Sequence, residues 1–233
     1  GLSITTSLEL DAGASGGKCG DFDSQSLTIG HDTLGTVIFA GHGGDSVMGG
    51  WDDKTPNAYE ESWAVTTGNL AINGSGGNNL WRYNSPELMP GLTVHASYQS
   101  TEQTGSTGAY SDVGVQFSPE MVEGLTLAYA AGEIDESTSE TADDVTGIDE
   151  TTYWISYVYG PITVGYQSSE ADGATSTQDD ESTAMGISYA VSDSLTVSYN
   201  EHEMDLGSST SDQESSGVSA SYTMGGATIS ASF

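Results

Sequence analysis

The sequence predicts an all-β fold, a transmembrane antiparallel β-barrel, on three observations. First, apolar and small polar residues alternate through many short stretches. In Leu92-Thr93-Val94-His95-Ala96-Ser97-Tyr98, Leu92, Val94, Ala96 and Tyr98 fall on one side and Thr93, His95 and Ser97 on the other. Successive strand side chains point to opposite faces, so each stretch has an apolar face and a wet face. Second, the connections alternate long and short, as they do at the two ends of a membrane barrel. Third, only 35% of the 233 residues are hydrophobic, which is little for a packed globular core. No run approaches the roughly 18 apolar residues of a membrane helix, whereas a water-filled barrel needs only one apolar side per strand. Disorder, the other reading of such a composition, conflicts with 12 Tyr and 4 Trp placed at regular strand positions.

The elements follow in order. Residues 2–10 form a strand with Leu2, Ile4, Leu8 and Leu10 on one face, and a loop rich in Gly, Ser and Asp runs to about residue 24. Residues 26–30 and 36–41 pair across the tight turn Asp32-Thr33-Leu34-Gly35. Residues 41–78 form by far the longest connection, and structureless loops of that length inside compact domains usually carry function. The rest repeats one unit: 80–85 with 92–100, 111–118 with 125–131, 152–159 with 162–167, 183–191 with 195–202, and 217–224 with 227–233. Apolar faces are explicit in Val113, Val115 and Phe117, in Tyr153, Ile155, Tyr157 and Tyr159, and in Met185, Ile187, Tyr189 and Val191. Tyrosine recurs near the ends of these runs, where membrane barrels carry aromatic girdles.

The count is roughly thirteen strands in one domain, 1–233. Bacterial single-chain barrels have even strand numbers. The expectation from parity is a piece of a barrel of about sixteen strands, with about two strands preceding it and about one following. Parity then makes the match of Phe233 to the terminal phenylalanine of outer-membrane proteins accidental.

Formal charge is −31, from 34 acidic residues against 3 Lys+Arg. Such a chain has no basic surface to release the counterions of nucleic acid, which removes nucleic acid as a partner. The acids concentrate in stretches expected to be loops: Glu133, Asp135 and Glu136; Asp143 and Asp144; Asp149 and Glu150; Asp179, Asp180 and Glu181; Asp205, Asp212 and Glu214. A solvated, salt-adapted surface accounts for them. Calcium in these acidic loops is the sharper alternative, although no ordered EF-hand spacing or glycine-rich nonapeptide repeat is present. Cys19 stands alone in a loop, which excludes an internal disulfide or a zinc cage. No second histidine or cysteine stands at ligand spacing from His31, His42 or His202. No nucleophile elbow, zinc motif, phosphate loop or dinucleotide fingerprint occurs, so the sequence gives no sign of an enzyme.

One segment carries more specific wording. Ser26-Leu27-Thr28-Ile29-Gly30 leads to Leu34-Gly35-Thr36-Val37-Ile38-Phe39-Ala40-Gly41, then to the long loop, then to Tyr83-Asn84-Ser85-Pro86-Glu87-Leu88 and Gly91-Leu92-Thr93-Val94-His95-Ala96-Ser97-Tyr98. This order resembles general-diffusion porins of the alphaproteobacterial type. The resemblance implies a sixteen-stranded barrel in the bacterial outer membrane, a homotrimer, and passive diffusion of small hydrophilic solutes and ions. It also implies that the loop after the fifth strand folds into the lumen as the constriction, and residues 41–78 fall at that position.

In that family, carboxylates on the loop face basic residues on the wall, and the opposed charges orient polar solutes. The matching loop residues here are Asp45, Asp52, Asp53, Glu60 and Glu61, with Lys54 expected to pair locally with Asp52 or Asp53. On the wall, Trp81 and Tyr83 take the lipid or subunit face, so Arg82 points to the lumen, and His95 adds a titratable group. The family carries a cluster of arginines where this chain has one. The expected consequence is a cation preference. The alternative from another class is a secreted or surface calcium-binding β-rich adhesion or carbohydrate-binding protein. A third is a barrel plugged by its loops and acting as a receptor.

Overall fold

The computed structural model describes residues 1–10, 22–62, 72, 74–100, 108–135, 147–173, 176, 177, 179–208 and 212–233. Cys19 and the expected loop acids Glu136, Asp143 and Asp144 lie outside the described residues. Among the described residues, thirteen strands form one antiparallel sheet: β1 (Leu2–Leu10), β2 (Phe22–His31), β3 (Gly35–His42), β6 (Leu80–Asn84), β7 (Leu92–Gln99), β8 (Tyr110–Phe117), β9 (Leu125–Ile134), β10 (Ile148–Tyr159), β11 (Ile162–Gly173), β12 (Asp180–Ser192), β13 (Leu195–Leu206), β14 (Gln213–Met224) and β15 (Ala227–Ser232). Each strand pairs with its neighbours in chain order, without crossovers. The two-residue strands β4 (Gly44–Asp45) and β5 (Gly76–Gly77) pair with each other inside the long connection.

Register fixes which side chains share a face. Tyr129 stands opposite Tyr153, Ile155 opposite Tyr166 and also opposite Leu127, and Ile187 opposite Tyr199. These side chains are exposed: Tyr129 53%, Tyr153 48%, Ile155 38%, Ile187 43%. Opposite faces of the same strands carry Thr152, Gln167, Ser169, Ser198, Asn200 and Ser219, all buried. The polarity is the reverse of a soluble sandwich, which turns its apolar face inward against a second sheet. That argues against the adhesion-protein reading. Aromatic side chains edge the apolar band on the long-loop side (Trp81, Tyr98, Tyr129, Tyr153) and on the short-turn side (Tyr157, Tyr159, Tyr189, Tyr222).

Two of the short turns share a plan. Pro86 to Gly91 and Pro119 to Gly124 each open with Pro-Glu and close on a glycine at positive φ, +82° and +85°. A Cβ there would stand 2.0 Å from Ser118 O or 2.2 Å from Val158 O, so glycine is required at both.

The strands run further at the long-loop end than alternating hydrophobicity indicates. β10 begins at Ile148 instead of 152, β11 reaches Gly173 instead of 167, β12 begins at Asp180, β13 reaches Leu206 and β14 begins at Gln213. Many expected loop acids are therefore strand residues: Glu133, Asp149, Glu150, Asp180, Glu181, Asp205 and Glu214. The physical reason is that ladder hydrogen bonds continue past the apolar band, and only the outward side chain changes from apolar to charged. Like charges consequently stand directly across from one another: Asp149 faces Glu133 and Asp172, Glu181 faces Glu170 and Asp205, and Glu203 faces Glu214. Tyr199 sits at the boundary, donating its hydroxyl to Glu201 Oε1 at 2.6 Å.

Directly opposed like charges oppose pairing, and salt screens them over about 10 Å at 0.1 M and about 3 Å at 1 M. The thermal midpoint in detergent is expected to rise between those salt concentrations. Glu181→Gln, which removes the middle charge of a row of three, is expected to raise it at low salt and to reduce the salt effect. Circular dichroism melts at both salt concentrations check this.

Candidate pore constriction

The connection between β3 and β6 lies against the wet face of the sheet. Buried backbone needs hydrogen-bond partners, and the polar side chains of the wall supply them strand by strand. The Val47 N–H donates to Ser97 Oγ of β7 (2.9 Å) and the Met48 N–H to Asp112 Oδ2 of β8 (2.8 Å). Further on, the Lys54 N–H donates to Gln167 Oε1 of β11 (2.7 Å) and the Ala58 N–H to Ser198 Oγ of β13 (2.9 Å). Wall groups also donate back: Gln167 Nε2 to Trp51 O (2.6 Å) and Asn200 Nδ2 to Pro56 O (3.0 Å). Ser62 Oγ ends the crossing 3.1 Å from Ser215 Oγ of β14. Residues 46–62 thus traverse the interior wall from β7 to β14.

An apolar seat lies beneath the first part of this crossing. Val47, Met48, Trp51 and Ile72 pack with Tyr110, Ala128, Ala130 and Trp154 from β8, β9 and β10. Trp51, in the short 3-10 helix Gly49–Trp51, is 5% exposed. Its ring meets Trp154 edge-on at 5.9 Å and His95 at 5.6 Å. The wall leaves room by omitting side chains: a Cβ on Gly114 would stand 2.6 Å from the Trp51 ring, and one on Gly165 would stand 2.5 Å from Pro56 Cδ. Full burial of such an apolar side chain is worth about 1.5–3 kcal/mol, against about 0.5–1.5 kcal/mol for a net hydrogen bond. The apolar seat and the hydrogen bonds therefore both hold the loop, and the hydrogen bonds also set its register.

The eight residues expected at a constriction separate into groups. Asp45, Asp52, Lys54 and Arg82 are close enough for their charges to interact. Arg82 Nη1 donates to Ser46 O (3.1 Å) and Asp45 O (3.3 Å), and its Nε to Asn84 Oδ1 (3.3 Å). The guanidinium therefore clasps the root of the loop through its carbonyls. His95 Nδ1 lies 2.7 Å from the same Asn84 oxygen. Enclosure by the loop and wall raises the Asp45 carboxyl above its usual range, the neighbouring Arg82 and Lys54 charges opposing the rise. Enclosure, then the Asp45 charge, likewise raises Asp52. Lys54 forms no ion pair within 4.0 Å among the described residues; it acts on Asp52 and Asp53 through space.

Asp53 and Glu61 form a second group, their carboxyls close enough to act on each other, with Asn57 Nδ2 donating to Glu61 Oε1. Burial first, and the neighbouring Glu61 carboxyl second, push Asp53 from 3.8 up to about 8. Glu60 stands apart, at the far end of the crossing beside Ser216 and Gly217 of β14 and Ser232 of β15. The sequence reading missed Trp51, Gly114, Asp112 and Gln167. The first two have a faint signal, a tryptophan inside a glycine-rich loop and a glycine inside a strand.

This architecture, a large antiparallel sheet with its apolar face outward and a long loop laid across its wet face, defines an outer-membrane barrel protein. The chain matches the sequence profile of the Gram-negative porin family over residues 1–232 and belongs to that family, whose place is the bacterial outer membrane. No match was found among curated proteins. Among solved structures it is similar to the anion-selective porin of Comamonas acidovorans (TM-score 0.61, 18% identity, covering 88% of this chain and 64% of that one). A double mutant of the Rh. blastica porin (TM-score 0.63, 14% identity) covers all of this chain, which spans 78% of it. The trimer form of OmpT from Vibrio cholerae gives a TM-score of 0.54 at 13% identity, covering 99% of this chain and 84% of that one. The chain thus spans just under two thirds of the Comamonas porin.

Two outcomes are expected. Gly114→Ala forces the Trp51 ring from its seat at a cost of about 1–3 kcal/mol, read as a lower midpoint in denaturant. The raised Asp53 carboxyl binds its proton more tightly in the docked loop than in a released one. Docking is therefore strongest below about 4 and weakens as pH climbs to about 8, with no further loss above. Hydrogen-exchange protection of the Lys54 and Ala58 amides is expected to fall over that window, and Asp53→Asn to reduce the dependence, Asp45 and Asp52 keeping a smaller share of the same sign.

Proposed function

We propose that this chain forms, as a single barrel domain over residues 1–233, a water-filled channel for passive diffusion of small hydrophilic solutes and ions, with a preference for cations. The carrying observation is the loop of residues 46–62 laid across the wet wall, which narrows the interior and lines it with charged side chains. Asp45, Asp52, Glu60 and Glu61 supply negative charge, Asp53 adds its own only as pH rises through about 8, and Lys54, Arg82 and His95 complete the constriction. Arg82 is occupied at the loop root, so it offers little to an anion. An acidic passage with so few bases favours cations. The channel works without bond chemistry, in contact with outer-membrane lipid around its apolar band. The trimeric Vibrio neighbour supports a homotrimer, the assembly that the outward apolar faces of neighbouring barrels allow.

Insertion into planar bilayers tests this. Stepwise conductance is expected, with reversal potentials in a potassium chloride gradient on the cation side. The double substitution Asp45→Asn and Asp52→Asn is expected to move the potassium-to-chloride permeability ratio toward unity. Correct insertion without conductance would replace the channel reading with that of a plugged barrel.

A further inference from the structure

Strand β8 presents to the interior a residue that no part of the family pattern singled out. Asp112 is 6% exposed and lies beneath the start of the loop crossing. Its Oδ2 accepts the Met48 N–H at 2.8 Å and the Tyr110 hydroxyl at 3.1 Å. Met48 directly precedes the 3-10 helix that carries Trp51. Within the loop, Ser46 Oγ accepts the Gly49 N–H at 3.0 Å, and Ser46 O accepts the Gly50 N–H at 3.0 Å. The Met48 N–H is thus satisfied from the wall, by a carboxylate that caps the turn from outside it.

Tyr110 holds that carboxylate in place. Its hydroxyl reaches Asp112 Oδ2 at 3.1 Å and lies 3.5 Å from Glu150 Oε2, a second carboxyl that is 4% exposed on β10. Asp112 Oδ1 is enclosed and has no hydrogen-bond partner among the described residues. A carboxylate this deeply enclosed gains most from each donor it has, because charge-assisted bonds strengthen out of water. Met48 itself is fully buried, so release of its N–H exposes both the apolar seat and the loop root.

We infer that Asp112 is the positioning residue of the constriction: its carboxylate, steadied by the Tyr110 hydroxyl, fixes where the loop leaves the wall and thereby sets the width of the passage. This rests on the channel reading for its consequence and on the geometry alone for its contact. Asp112 touches no solute. It acts through Met48 and the turn that follows.

The test reads loop position and conduction separately, in the full chain. In a Cys19→Ser background, Met48→Cys places a thiol at the buried position, and a membrane-impermeant maleimide measures its exposure in detergent. Labelling is expected to be slow with Asp112 intact and roughly tenfold faster with Asp112→Ala, the scale of a lost charge-assisted bond. Asp112→Asn retains an oxygen acceptor for the Met48 N–H and is expected to keep most of the protection. Tyr110→Phe, which keeps the ring in the apolar seat, is expected to give a smaller acceleration in the same direction. In bilayers, Asp112→Ala without the engineered cysteine is expected to raise single-channel conductance, and Asp112→Asn to leave it near the wild-type value. Equal labelling rates in the Asp112 and Asp112→Ala proteins overturn the inference, as does faster labelling with unaltered conductance. Should Asp112→Ala fail to fold, Tyr110→Phe decides by the same two readouts. A wild-type protein that labels slowly but conducts no ions counts against the channel and leaves the contact to the labelling result.

Discussion

The pleat forces every strand to show one set of side chains to each side of the sheet, and in this protein the two sets want different solvents. Leu127, Tyr153, Ile155, Ile187 and Val218 share the outer face, and Ser97, Thr152, Gln167, Ser198 and Ser219 share the inner one. Strands can enter hydrocarbon only if their N–H and C=O groups are paired to neighbouring strands, which the uninterrupted antiparallel order provides for every strand between β1 and β15. A slip of one residue in any pair would exchange the faces. The register is therefore pinned along the apolar band.

That sidedness also explains how a long loop can lie inside. A polar inner face offers donors and acceptors, and the loop takes them up over a span of eight strands, from Ser97 of β7 to Ser215 of β14. Where wall residues shrink to Gly114 or Ala128, the loop inserts Trp51 and Val47 instead. The interior thus combines a wet wall with one dry seat, and the charged residues of the loop are carried past the wall on a framed backbone. Arg82 belongs to this frame as much as to the charge pattern, because its guanidinium binds loop carbonyls.

Much of this was legible in the chain. Alternation alone assigns Arg82 and His95 to the interior and Trp81 and Tyr98 to the exterior, and the length of residues 41–78 marks the loop. Strand ends were not legible, because hydropathic alternation stops at the edge of the apolar band while the ladder continues through Asp149, Glu181 and Asp205. Nor were Asp112 and Gln167, whose importance lies in accepting or donating to backbone groups more than sixty positions away. The Asp53–Glu61 contact was hidden for a related reason: two acids in a glycine-rich loop look solvated until the wall encloses them.

Spin labels placed one at a time along β10, from 151 to 157, in lipid vesicles measure the central claim directly. Oxygen, which partitions into hydrocarbon, should relax labels at Tyr153, Ile155 and Tyr157 most strongly, and a water-soluble nickel complex should relax the label at Ser156. A profile with no period of two, or with oxygen favouring the even-numbered sites, would mean that the apolar side chains do not face lipid, and the account would fail.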